Sequence, residues 1–70
     1  MKVGVNDIRN IKVGETKIFS GNPRELNSAR AISTYAKYTY PEDKKGYKTK
    51  VNYIKEQIAI TAIAINQQNI

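Results

Sequence analysis

The alternation of apolar and polar positions changes along this chain, and each change marks an expected element. Residues 1–10 mix Val3, Val5 and Ile8 with Asn6, Asp7 and Asn10 in no clean period, which predicts an irregular lead-in or a short edge strand. Ile11 and Val13 then flank Lys12, Gly14-Glu15 reads as a turn, and Thr16 to Phe19 is rich in strand formers. This stretch fits either one kinked strand or a tight hairpin. Asn22-Pro23-Arg24-Glu25 is a helix start: Asn22 can cap free N–H groups, Pro23 suits the first turn, and Glu25 falls three residues after the cap. The helix is predicted over 23–38. Leu26, Ala29, Ile32, Ser33 and Ala36 form its apolar face, with Tyr35 at the margin. Pro41 ends it, and residues 41–46 read as an exposed loop.

Tyr47, Thr49 and Val51 alternate with Lys48 and Lys50, the pattern of a half-buried strand with a basic outer face. Residues 52–57 should hold a turn. Ile58 to Ile65 reads as a second strand whose bulky positions are 58 and 60, then 63 and 65, so the phase slips at Thr61-Ala62 and predicts a β-bulge. Val51, Ile54, Ile58, Ala62 and Ile65 also match helical spacing over 51–66, but the isoleucine density favours the strand. Residues 47–65 therefore read as a basic β-hairpin, and 66–70 as a polar tail. The expected fold is α+β, a single small β-α-β-β domain with one helix packed on a small antiparallel sheet. Its far sheet face must be polar, bind a ligand or be covered by a second copy.

Composition narrows the chemistry. The chain has 70 residues and no Cys, His or Trp. A domain this small buries only roughly 60% of its unfolded surface, so a homo-oligomer or a bound partner is a natural source of extra stability. Without Cys and His there is no disulfide framework and no support for a structural zinc site, and no metal or cofactor is expected. Lack of His removes triads and imidazole proton shuttles. The acids Asp7, Glu15, Glu25, Glu42, Asp43 and Glu56 form no pair spaced for acid–base work, and the glycines at 4, 14, 21 and 46 make no phosphate loop. A non-enzymatic protein is expected. Met1 to Asp7 has no apolar targeting core, and the run Ile58 to Ile65 is far short of the roughly twenty residues of a membrane span. The expected location is the cytoplasm, with no membrane partner.

Charge points to a class of partner. Twelve Lys and Arg oppose six Asp and Glu, a net charge of +6. The stretch from Lys17 to Lys55 holds Arg24, Arg30, Lys37, Lys44, Lys45, Lys48 and Lys50, and all five tyrosines (35, 38, 40, 47 and 53) fall within it. Cations neutralise phosphates and phenol rings give bases a surface to stack on, so this interleaving is the composition of a nucleic-acid-binding surface. Lys44, Lys45, Lys48, Lys50 and Lys55 are the expected phosphate contacts. Tyr38, Tyr47 and Tyr53 are the expected stacking rings, and Arg30 with Lys37 would extend the track. On the helix, Asn27, Arg30, Thr34 and Lys37 recur at spacings that align them as one polar stripe. The alternative roles are plain: strand lysines that only solubilise an edge, and tyrosines that only pack.

Four short motifs sit among these residues: Val13-Gly14-Glu15-Thr16, Arg30-Ala31, Lys45-Gly46-Tyr47-Lys48-Thr49 and Ile58-Ala59-Ile60. Over residues 11–60 their order resembles small accessory, non-structural proteins of bacteriophages, including the small DNA-binding proteins of single-stranded-DNA phages. Where some of those end in an aromatic-plus-arginine motif, this chain has Thr61-Ala62-Ile63. The resemblance implies a phage protein acting in a bacterial host. The expectation is a replication or regulatory accessory that binds single-stranded DNA, with DNA favoured over RNA. The alternative is a protein-interaction module that binds or inhibits a host protein, as a homodimer through the Ile58–Ile65 strand.

Overall fold

The Asn22 carboxamide accepts the Glu25 backbone N–H at 2.9 Å, and the Glu25 carboxylate accepts the Asn22 N–H at the same distance. In the computed structural model, which describes residues 3–65, this reciprocal cap opens the one long helix. The elements are α1 (Val5–Arg9), β1 (Thr16–Ser20), α2 (Pro23–Thr39), a 3-10 turn over Pro41–Asp43, β2 (Lys45–Asn52) and β3 (Gln57–Ala64). The expected α+β fold is present: α2 lies on a three-stranded sheet of order β1-β3-β2, with both pairings antiparallel. The expected polar tail at 66–70 lies outside the described residues.

The core sits between α2 and the sheet. On α2, Leu26, Ala29, Ser33 and Ala36 are buried and Ile32 is half-buried, while Tyr35 stays exposed. On the sheet, Ile58, Ile60 and Ala62 of β3 are fully buried, flanked by Phe19 and Val51 opposite Ile58. Burial of each large aliphatic side chain stabilises the fold by about 1.5–3 kcal/mol. The small Ala29, Ser33 and Ala36 suit close approach of helix to sheet. The one buried hydroxyl there is satisfied, since Ser33 Oγ donates to the Ala29 carbonyl at 3.0 Å.

Three local expectations are corrected. Residues 5–9 are a helix, neither irregular nor a strand. Ile8 and Ile11 anchor this segment in the core, and the Asp7 carboxylate accepts the Gly4 N–H at its start. Residues 11–19 are neither one kinked strand nor a hairpin. Lys12 to Glu15 turns around Gly14, whose φ of +87° favours glycine, and Val13 bridges Ala62 before β1 begins. The Thr61-Ala62 bulge is absent: the register runs without a break through Lys48–Thr61, Tyr47–Ala62 and Gly46–Ile63. Ala62 keeps the inward phase as a small residue, and Ile63 faces the other side, so bulk changes there while the phase does not. The helical alternative for 51–66 also gives way, to the end of β2, a turn over 53–56 and β3. The loop at 41–46 is shorter than expected, because β2 starts at Lys45 and Gly46 is already buried and paired.

Candidate nucleic-acid interface

β2 is an edge strand, so each of its faces borders solvent along one side. Its pairing with β3 fixes which side chains go where. Tyr47, Thr49 and Val51 share the face of Ala62, Ile60 and Ile58, toward α2, while Lys48 and Lys50 share the open face with Thr61 and Ala59. The polar stripe of α2 runs beside the first of these faces. Between them lies a cleft of about 180 Å³ lined by Arg30, Ser33, Thr34, Lys37, Tyr38, Tyr47 and Thr49.

Two cations, two phenol rings and threonine hydroxyls thus meet in one groove. The Lys37 ammonium lies 5.3 Å from the Tyr38 ring centroid, and the Tyr38 side chain is 72% exposed, open to a ring stacked on it. Tyr47 is half-buried, and that burial pushes its phenol above the ordinary tyrosine range. Such a groove can neutralise phosphates with Arg30 and Lys37 while a base stacks on Tyr38.

A second group of predicted residues lies on the open face. Lys50 and Lys55 flank a shallow depression of about 190 Å³, completed by Ile18, Asn52, Gln57 and Ala59. Lys48 is on this face too. The lysines and rings therefore do not form the one continuous surface that the sequence suggested. Strand alternation sends Lys48 and Lys50 away from Tyr47, and the two groups adjoin only around the β2 edge.

Three predicted contacts take other positions. The Lys45 ammonium donates to the carbonyls of Arg9 and Ile11, the latter at 2.8 Å, so it fastens the end of α1 to the sheet and is not a free phosphate ligand. Lys44 is exposed but sits in a left-handed conformation after the 3-10 turn, apart from both groups of lining residues. Tyr53 is at the hairpin tip, half exposed, and its hydroxyl donates to the Asn27 carboxamide at 3.2 Å. Thr49, Asn52 and Gln57 were missed as lining residues. Thr49 shares the alternation of Tyr47, and that was the available signal.

Glu42 and Asp43, the acids that directly precede β2, face Arg9. Arg9 Nε and Nη2 donate to the Asp43 carboxylate at 2.8 and 3.0 Å, Glu42 lies 4.0 Å away, and the guanidinium stacks 3.8 Å over the Tyr40 ring. The bond to Arg9 holds the Asp43 carboxyl below its ordinary value, and the same bond raises Arg9. Tyr40 in turn meets Tyr35 edge to face at 6.4 Å, so this ring packs.

Among the described residues no group of three acids could hold a metal ion, and no helix is long and apolar enough to cross a membrane. Comparison with known protein families, characterised proteins and solved structures finds no match to this chain.

Proposed function

We propose that this protein is a non-enzymatic nucleic-acid-binding protein that takes single-stranded DNA into the cleft between α2 and β2. In this reading it serves as a bacteriophage replication or regulatory accessory in the cytoplasm of the host cell; the phage attribution rests on the sequence resemblance alone. The observation that carries the binding proposal is the convergence of Arg30, Lys37, Tyr38 and Tyr47 on one groove. A single strand suits it better than a duplex. The stripe on α2 faces a groove shared with β2, so the hairpin would stand in the way of laying α2 into a major groove. An exposed ring beside two cations is instead a stacking platform with charge neutralisation.

The test is a fluorescence-anisotropy titration with single-stranded DNA, duplex DNA and single-stranded RNA, repeated with the double variant Arg30→Ala/Lys37→Ala. Tighter binding of single-stranded DNA, lost in the variant, supports the reading. Equal binding by variant and wild type removes it.

A second reading, an interaction module that docks on a host protein or on another copy, draws on Ile18, an apolar side chain 60% exposed on the open sheet face. β3 lies between β1 and β2, which pair with Gln57–Thr61 on one edge and with Gln57–Ala64 on the other, so this reading draws on the open face and not on that strand's edge. Light scattering across concentrations distinguishes monomer from dimer.

A further inference from the structure

We infer that the depression on the open sheet face is a second nucleotide subsite, and that one single strand crosses the edge of β2 to fill both it and the cleft. This inference rests on the proposed binding of single-stranded DNA in the cleft.

The depression combines the two chemistries a nucleotide requires. Lys50 and Lys55 flank it, and among the described residues neither has an ion-pair partner. An anion is the occupant that such a rim complements. Ile18 and Ala59 supply an apolar wall of the kind that takes the face or methyl group of a base. Asn52 and Gln57 add amides at the same place, and Asn52 is fixed there because its side-chain oxygen accepts the Lys55 N–H at 3.1 Å. The rim is held on a tight turn, in which the Glu56 N–H donates to the Tyr53 carbonyl and the Glu56 carbonyl accepts the Gly21 N–H.

Geometry links the two sites. Tyr47 and Thr49 line the cleft, Lys50 and Asn52 line the depression, and these residues alternate along one strand with about 3.3 Å between neighbours. Because β2 is an edge, no further strand separates its two faces on that side. A polynucleotide backbone can pass around it, with Lys48 on the open face beside the path. A protein docked here would have to be acidic as well as apolar, whereas a strand already held in the cleft brings both phosphates and bases.

The test uses oligothymidylates of about four and about twelve nucleotides, since single-strand sites on small domains span this range. Anisotropy is followed against salt for the wild type, Lys50→Ala/Lys55→Ala and Arg30→Ala/Lys37→Ala. The inference predicts that Lys50→Ala/Lys55→Ala leaves the short oligonucleotide unaffected. It weakens the long one about tenfold and lowers the magnitude of its salt slope by about 1.4, the value for two phosphates. If this variant binds the long oligonucleotide as wild type does, with the same slope, while Arg30→Ala/Lys37→Ala abolishes binding of the short one, the second subsite is wrong and the cleft reading stands. If Arg30→Ala/Lys37→Ala changes neither, the cleft reading fails and the second subsite with it.

Discussion

Tyr47 and Lys48 are consecutive on β2 and face opposite sides of the sheet, Tyr47 across from Ala62 beneath α2 and Lys48 across from Thr61 on the open face. This one relationship divides the basic, tyrosine-rich hairpin between two faces of the sheet. It also makes the edge of β2 the line at which they meet.

Under the proposed function, the exposed Tyr38 ring of the cleft is one whose loss should cost binding and little else. Tyr38→Ala should weaken single-stranded DNA by about tenfold, within the roughly 1–3 kcal/mol range for one stacked base. Its 72% exposure predicts a change in unfolding free energy within about 0.5 kcal/mol. Parallel anisotropy and urea titrations check both outcomes.

Lys45 should behave in the opposite way. Its ammonium is committed to the Arg9 and Ile11 carbonyls, so Lys45→Ala should destabilise the fold by about 1.5 kcal/mol and leave the salt slope of DNA binding unchanged. Lys48→Ala, on the open face, should leave stability within about 0.5 kcal/mol of wild type. Urea denaturation of the two variants side by side separates a structural lysine from a solvent-facing one.

The Arg9–Asp43 pair sets an acid limit. Asp43 titrates lower in the folded chain than its ordinary value near 3.8, because Arg9 holds its charged form. A depressed carboxyl contributes stability above its unfolded value and loses it as pH falls through the folded one. The melting temperature of the wild type should therefore fall below about pH 4 more steeply than that of Asp43→Asn. Above that pH the variant should melt lower. Circular-dichroism melts from pH 7 down to pH 2 read this directly.

The cap of α2 is a local device with a local cost. Asn22→Ala should destabilise the protein by about 1 kcal/mol, because the Glu25 N–H loses its acceptor. In a domain of this size that is a drop of about 4–8 °C in melting temperature.

Much of this architecture is written in short-range patterns. Asn22, Pro23 and Glu25 announce α2, and the alternation from Tyr47 to Val51 announces β2 and its two faces. What escaped depends on distant partners. Residues 5–9 lack a helical period, and their helix is held by burial of Ile8, by Arg9 reaching Asp43 of the 3-10 turn and by Lys45 reaching the Arg9 carbonyl. No local signal shows that Lys45 meets the Arg9 carbonyl 36 positions away. The separation of Lys48 and Lys50 from Tyr47, by contrast, was legible. Period-two alternation places them on opposite faces whatever the rest of the chain does, and only clustering in sequence made them look like one patch.

The most direct measurement of the central claim is the affinity for single-stranded DNA as a function of salt. With Arg30, Lys37, Lys48, Lys50 and Lys55 each meeting a phosphate, log affinity should fall against log salt with a slope of about −3.5. An affinity that does not change with salt would contradict the account.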